Sequence, residues 1–242
     1  MPNDRIALIT GANKGLGFQT ARLLGEQGAA VLLGARDEAR GKRAAAELTA
    51  RGLKVIPVHL DVTDSTTIDS AARFIGQRYG HLDILVNNAG IAGPATARPS
   101  EVTVWQLREV YDTNVFAVVA VTNAMLPWLR RSTAGRIVNV SSHVGSLELG
   151  LDPESELRNL NLMAYQSSKT ALNAVTVAYA KELWPTGIKV NVACPGLTAT
   201  DLNQHLGGHP AELGARITVR LATIGPDGPT ATCQDDRGIV PW

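Results

Sequence analysis

Residues 5–35 read RIALITGANKGLGFQTARLLGEQGAAVLLGA, and this stretch decides the fold class. Two apolar runs, RIALIT and AAVLLGA, flank a glycine-rich turn and a segment with apolar residues at helical spacing. Similar runs follow, separated by further helical patterns: KVIPVHL, LDILVNN, GRIVNVSS and IKVNVAC. The alternation predicts a doubly wound α/β fold, in which helices cover both faces of a parallel sheet.

Length and composition fit one domain. The chain has 242 residues, of which 45% are hydrophobic and 19% charged, and no Ser/Gly-rich linker divides it, so residues 1–242 are expected to fold together. The net charge of +1 and the lack of long single-sign runs indicate small-molecule partners, with no nucleic acid and no membrane surface. The chain enters its first strand pattern without a leader-like segment, so a cytoplasmic location is expected.

The cysteines and histidines give no sign of a disulfide or a metal site. Cys194 and Cys233 are 39 positions apart without a CxxC pair, which predicts reduced, buried thiols. His205 and His209 are separated by two glycines and followed by a proline, so they are interpreted as solvated loop residues. No metal is expected.

The first chemical motif is TGANKGLG, residues 10–17, which joins the first strand pattern to the first helix pattern. Glycines at such a junction let main-chain N–H groups approach a pyrophosphate at the positive end of the helix. The same glycines would also serve a plain turn, and their spacing departs from GxGxxG. The motif therefore indicates a nucleotide site only in combination with suitable residues at the ends of the other strands.

The second strand pattern ends in Ala35-Arg36-Asp37, where a dinucleotide site usually offers an acid to the ribose. Arg36, together with Lys14 of the glycine loop, suits a 2′-phosphate. The alternatives are that Arg36 is a solvated residue at a helix start, and that Asp37 is either a helix cap or a weak ribose ligand.

Later strand ends continue the site. Asp61 and Val62 follow the third run, where an adenine would rest, and NNAG, residues 87–90, ends the fourth with side chains small enough for a nucleoside to approach. Asn114 is polar within an apolar helical stretch, which fits either a bond to an open carbonyl or water, or a purely structural role.

Three groups suited to proton transfer follow. Ser141 and Ser142 end the fifth run, and Tyr165 and Lys169 lie four residues apart, on one face of a predicted helix. A phenol titrates near pH ~10, and an adjacent cation is expected to lower that pKa toward neutrality, so that Tyr165 exchanges a proton with a carbinol oxygen. Alone, the Tyr–Lys pair would indicate a surface pair.

Taken together, TGANKGLG, NNAG, Asn114, VNVSS, YQSSK and CPGLTAT resemble the motifs of the short-chain dehydrogenase/reductase family over nearly the whole chain. The resemblance implies a Rossmann-like fold with a seven-stranded parallel sheet, and hydride transfer between a nicotinamide and a carbonyl or alcohol. It implies a catalytic tetrad in which Ser142 orients the substrate oxygen, Tyr165 is the acid-base group, Lys169 also binds the nicotinamide ribose and Asn114 holds a water. The predicted NADP(H) site consists of Gly11, Asn13, Lys14, Gly15, Leu16, Gly17, Arg36, Asp61, Val62, Asn88, Ala89, Gly90, Tyr165, Lys169, Pro195, Gly196, Leu197 and Thr198.

Within the family, the chain looks most like the carbonyl-reductase branch, although its 22 residues between Ser142 and Tyr165 match neither the common nor the long members. An insert at about 145–161 and a loop at about 198–210 are expected to form the substrate pocket. Asp152-Pro153 is interpreted as a helix start, with Leu157, Leu160 and Leu162 turned toward the body of the protein. In the longer carbonyl reductases an insert at this place covers the family's oligomer interface, so the resemblance favours a monomer over a dimer or tetramer, although the insert here is shorter.

Two classes of function remain open. The favoured one is an NADPH-dependent reductase of ketones or aldehydes, and the same site would also run as an NADP⁺-dependent secondary-alcohol dehydrogenase. The other is a non-catalytic dinucleotide-binding module, which the fold permits. The intact Ser142, Tyr165 and Lys169 favour the enzyme.

Overall fold

Strands form at the apolar runs found in the sequence. The structure is a computed structural model that describes residues 5–93 and 98–242. The strands within those residues are β1 (Ile6–Ile9), β2 (Ala30–Ala35), β3 (Val55–His59), β4 (Ile84–Asn87), β5 (Arg136–Val140), β6 (Lys189–Ala193), β7 (Cys233–Asp235) and β8 (Gly238–Ile239).

Helices occupy the stretches between strands. Their bounds are α1 (Gly15–Glu26), α2 (Glu38–Ala50), α3 (Ser65–Arg78), α4 (Val104–Tyr111), α5 (Ala117–Leu129), α6 (Leu147–Leu151), α7 (Met163–Leu183) and α8 (Ala211–Ala222). A π-helical turn, Asp112–Phe116, joins α4 to α5. Aspartates cap the N-termini of two helices. The side chains of Asp37 and Asp64 accept hydrogen bonds from main-chain N–H groups in the first turns of α2 and α3.

The sheet has the order β3-β2-β1-β4-β5-β6-β7-β8. The predicted α/β fold is confirmed, and β1 to β7 are the predicted seven parallel strands. The short β8 was not predicted and pairs antiparallel with β7. It forms because the Asp235 carboxylate accepts the main-chain N–H groups of Arg237 and Gly238 and thereby closes a tight turn.

Both faces of the sheet are buried, as the apolar runs predict. Along β1, Ala7 and Ile9 belong to a core shared with α1, α2 and α8, whereas Ile6 and Leu8 belong to a core shared with α3, α5 and α7. The alternation places a layer of helices on each side. The carboxyl ends of the parallel strands therefore meet at one edge, where the predicted site residues lie.

The described residues form a single α/β domain. Its predicted extent, residues 1–242, stays a prediction, and residues 1–4 and 94–97 lie outside the described residues. No helix in the described part of the chain is long and apolar enough to cross a membrane. Both cysteines are free and buried, as predicted, and their Sγ atoms lie 3.3 Å apart.

The insert differs from the expectation. The helix start predicted at Asp152 is wrong, since α6 ends at Leu151 and Asp152 accepts a hydrogen bond from the Glu154 N–H in a turn. A 3₁₀ turn follows at Glu156–Asn159, with Ser155 as its cap. Leu160 is exposed rather than turned inward, because this short turn leaves one side to solvent.

Candidate active site

The glycine loop has the backbone that a phosphate site requires. Gly11 and Gly15 adopt positive φ angles of 63° and 55°. A Cβ on Gly17 would lie 2.5 Å from Nδ2 of Asn88 and 2.7 Å from the Gly11 oxygen, so only glycine fits there. Helix α1 starts at Gly15, and the Lys14 side chain gives its first turn no capping bond. The free N–H groups of that turn fit a pyrophosphate.

The NNAG segment is fastened directly to this loop. Asn88 donates from Nδ2 to the main-chain oxygens of Thr10, at 2.8 Å, and Gly11, at 3.2 Å. The main-chain N–H groups of Asn88 and Ala89 both donate to Oγ1 of Thr10. Two strand ends that the sequence analysis assigned to one cofactor therefore lie side by side.

At the end of β2, the neighbouring residues Arg36 and Asp37 have different environments. Asp37 caps α2 by accepting from the Arg40 N–H at 2.9 Å, which favours the cap over the ribose ligand. Arg36 is exposed at the strand end. Lys14 is also exposed, but it forms an ion pair with Asp201. Asp201 was not predicted as part of the site, because nothing in its local pattern points to a residue 187 positions away.

The remaining predicted cofactor residues lie at the same edge. Asp61 accepts hydrogen bonds from Thr63 and is half-buried, and Val62 packs beside it against the α3 side of the core. After β6, Gly196 has φ 74°, and Thr198 bridges to His209, which closes the 198–210 loop. Asn13 of the glycine loop, Leu16 of the first turn of α1 and Pro195 after β6 are partly exposed, and Leu197 is exposed.

Asn114 lies in the π-helical turn and is buried. Its Oδ1 accepts from the Ile91 N–H at 2.9 Å, and its Nδ2 donates to the Ile91 oxygen at 2.9 Å and to the Ser168 hydroxyl at 3.0 Å. Of the alternatives that the sequence left open, the structure shows a bond to a main-chain carbonyl, that of Ile91. Added bulk at Gly90 would meet both Asn114 and the Lys169 ammonium, at 3.2 and 3.7 Å from a Cβ.

Lys169 is buried on α7 and faces the end of β5. Its Nζ donates to the main-chain oxygen of Val140 at 2.8 Å and lies 5.5 Å from the centre of the Tyr165 ring. Burial lowers the pKa of Lys169 to about 8, and the neighbouring Cys194 thiol acts in the opposite direction. At neutral pH most Lys169 side chains are still charged.

Tyr165 and Ser142 meet across the gap between α7 and β5. Burial raises the pKa of the Tyr165 phenol well above its ordinary value, Cys194 adds to the rise, and a hydrogen bond with the Ser142 side chain opposes it. The Ser142 hydroxyl also accepts from the Val144 N–H at 3.4 Å. The structure thus brings together all three groups that the sequence assigned to proton transfer.

One expectation about this group is wrong. Lys169 was expected to lower the pKa of the Tyr165 phenol, but that pKa is raised, because loss of water around the phenol outweighs any attraction to a cation. The ammonium points to Val140 instead. Spacing on a helix predicted the shared face of Tyr165 and Lys169, but it carried no information on depth of burial.

Comparison with known proteins agrees with this arrangement. A model of the short chain dehydrogenases matches residues 5–210. The chain is 38% identical over 226 residues to the short-chain dehydrogenase anuI of Penicillium roqueforti, which covers 91% of this chain and 89% of that protein. It is 34% identical over 295 residues to salutaridine reductase of Papaver bracteatum, with coverage of 96% and 94%.

The fold also matches that of a solved reductase. The NADPH-bound carbonyl reductase from chicken fatty liver superposes with a TM-score of 0.86 at 25% identity, over 99% of each chain. The predicted family and its Rossmann-like fold are confirmed. The protein is thus a member of the short-chain dehydrogenase family, an oxidoreductase that uses a nicotinamide dinucleotide to act on CH–OH or C=O groups of small molecules.

Proposed function

We propose that the protein is an NADPH-dependent reductase of ketones or aldehydes, with Tyr165 as the general acid. The observation that supports this most is the convergence of Tyr165, Ser142 and the buried Lys169 ammonium at the carboxyl end of β5. A phenol that stays protonated at neutral pH is ready to donate a proton to a carbonyl oxygen, which is the step that reduction needs. Alcohol oxidation would need the phenolate instead.

Each remaining member of the tetrad has a distinct task in this scheme. The bound nicotinamide would supply the hydride. The Ser142 hydroxyl orients the carbonyl oxygen toward the phenol, and the charge of Lys169 stabilises the phenolate that remains after proton transfer. Asn114 fastens the segment at Ile91 that borders Lys169, and its proposed water remains a prediction.

The preference for NADPH rests on cations at the ribose end of the site. Arg36 and Lys14 are both exposed near the start of the two helices that follow β2 and β1. Charge-assisted bonds to a 2′-phosphate would favour NADPH over NADH. The segments at about 145–161 and 198–210 are proposed to form the pocket for the substrate.

The reaction is tested by following NADPH consumption across a panel of ketones, aldehydes and quinones, with NADH in parallel. The proposal expects turnover of at least one class with NADPH. If NADPH binds but neither reduction nor the reverse oxidation of any matching alcohol occurs, the chain is a binding module instead.

Oligomeric state and location stay predictions. The α6 residue Leu149 packs against a cluster that includes Val240, and the Glu148 N–H donates to the Trp242 oxygen, so the insert contacts the C-terminal segment. Trp105 and Phe116 stay exposed on the α4 side. Light scattering coupled to gel filtration should give a mass near the 25.6 kDa of one chain if the monomer is right. A stable tetramer would contradict the monomer.

The cytoplasmic location is tested by fractionation of cells that express the protein.

A further inference from the structure

A second pair of polar side chains lies at the carboxyl edge of the sheet. His143 directly follows Ser142, and its Nε2 is 3.0 Å from Oδ2 of Asp235 at the end of β7. Strand β6 runs between β5 and β7, so the pair spans the carboxyl end of β6, where Pro195 begins the loop toward the predicted pocket. The imidazole therefore lies beside the proton-transfer group without belonging to it.

The surroundings of Asp235 determine which nitrogen of His143 carries hydrogen. Oδ1 of Asp235 accepts the N–H groups of Arg237 and Gly238 at 2.8 and 3.0 Å. Burial opposes ionisation of the Asp235 carboxyl, but these N–H groups and His143 hold its pKa below the ordinary value. Because an ionised carboxylate only accepts, Nε2 of His143 must donate. In a neutral ring, Nδ1 is then an acceptor.

That acceptor is available. Nδ1 of His143 has no hydrogen-bond partner among the residues described, and 28% of the side chain is exposed. Several leucines are exposed on the neighbouring insert and loop, among them Leu147, Leu151, Leu197 and Leu206, together with charged residues such as Glu148. A ligand that packs against these leucines would meet apolar surface with Nδ1 of His143 as a hydrogen-bond acceptor next to Ser142.

We propose that His143, oriented by Asp235, is a specificity-determining residue that accepts a hydrogen bond from a hydroxyl group of an otherwise apolar ketone. This inference rests on the proposed reductase function. It predicts that a hydroxyketone is a better substrate than the same ketone with a methoxy group, since a methoxy oxygen cannot donate. One hydrogen bond corresponds to a preference of roughly two- to tenfold.

Asp235→Asn gives a test that a purely structural role would not mimic. The asparagine oxygen is needed by the N–H groups of Arg237 and Gly238, so its NH₂ group must face Nε2 of His143. The imidazole would then carry its hydrogen on Nδ1 and become a donor. The preference should therefore disappear, because a hydroxyl oxygen and a methoxy oxygen both accept a hydrogen bond.

The experiment uses decalones with one hydroxyl or one methoxy group at each ring position. The Michaelis constants with NADPH and the dissociation constants from calorimetry are both measured, for the parent, Asp235→Asn and His143→Phe. His143→Phe should abolish the preference, because phenylalanine neither donates nor accepts. His81→Phe is the matched control, since His81 lies near Asp83 at the opposite edge of the sheet, and it should keep the parental preference.

The two proposals fail in different ways. Absence of turnover with every decalone would count against the reductase function for this ligand class, while the calorimetric preference would still decide the role of His143. If the parent and both variants bind the hydroxy and methoxy ketones equally at every ring position, or if Asp235→Asn keeps the parental preference, the role proposed for His143 is overturned.

Discussion

Lys169 holds its ammonium 5.5 Å from the centre of the Tyr165 ring while it donates to the main-chain oxygen of Val140. The two groups share one face of α7, yet burial drives their pKa values in opposite directions, down for the lysine and up for the tyrosine. Their proton affinities therefore differ more than they do in water, and the phenol holds its proton more tightly than the ammonium does. This arrangement favours a protonated phenol before the reaction and a nearby cation after it.

The pH dependence of reduction should report Lys169. Its pKa of about 8 means that the charge is present below that pH and is lost above it. The Tyr165 phenol and the Cys194 thiol have raised pKa values and stay protonated through this range, so neither produces the change. We expect kcat/KM for reduction to fall as pH rises through about 8.

Stopped-flow rates from pH ~6 to ~10 would locate this fall, since the interval brackets the ordinary lysine pKa and its lowered value. Lys169→Arg, whose guanidinium does not titrate there, should remove the pH dependence of whatever activity it retains. A profile that stays flat in the parent up to the ordinary lysine range would contradict the assignment.

Arg36 should decide the choice of cofactor. If it binds a 2′-phosphate, the parent should prefer NADPH over NADH by at least about tenfold, and Arg36→Asp should erase that preference by placing an acid beside the ribose. Arg73→Asp, an equal charge change on exposed α3, is the control. Equal kcat/KM with both cofactors in the parent would show that the exposed Arg36 is only a surface residue.

The ion pair between Lys14 and Asp201 should weaken NADPH binding, because the carboxylate competes with the 2′-phosphate for the ammonium. Asp201→Asn is expected to lower the dissociation constant of NADPH by roughly two- to fivefold, the range for an exposed pair, and to leave that of NADH unchanged. Fluorescence titration measures both constants, with Asp69→Asn on α3 as the control. An unchanged NADPH constant would argue against a role for Lys14 in phosphate binding.

Gly17 should tolerate no side chain. In Gly17→Ala, the new methyl group would lie 2.5 Å from Asn88 and would separate the glycine loop from the NNAG segment. The free energy of unfolding should fall by roughly 1 to 3 kcal/mol, the usual cost of overpacking, and NADPH affinity should fall with it. Gly150→Ala in α6 is the control, because nothing lies within 4 Å of its added Cβ. Urea unfolding curves that coincide for Gly17→Ala and the parent would refute the close contact.

The fold was largely predictable from residues 5–35 and the runs that repeat their pattern, because a strand buried on both faces needs a continuous apolar segment. β8 was not predictable, since its two residues have no such run and depend on a turn closed by Asp235. The helix start predicted at Asp152 was wrong for a related reason. An aspartate that caps a helix and one that closes a turn have the same local sequence pattern.

Site residues that belong to one short motif were predictable. Site residues that are distant in sequence and lie close only because of the strand order were not. Tyr165 and Lys169 are four positions apart, so their proximity follows from helix geometry. His143 and Asp235 are 92 positions apart, and only the strand order brings them together. The pKa of Tyr165 was expected to move the wrong way, because helical spacing says nothing about how much water the fold leaves around the phenol.

The central claim is that Tyr165 supplies the proton, and single-turnover reduction by Tyr165→Phe tests it most directly. Phenylalanine keeps the ring and its packing beside Lys169 and removes only the hydroxyl. With NADPH affinity checked by fluorescence titration and the fold by thermal unfolding, the account predicts parental values for both and a hydride-transfer rate lower by roughly 10²- to 10⁴-fold. A Tyr165→Phe protein that binds NADPH and reduces the ketone at close to the parental rate would contradict it.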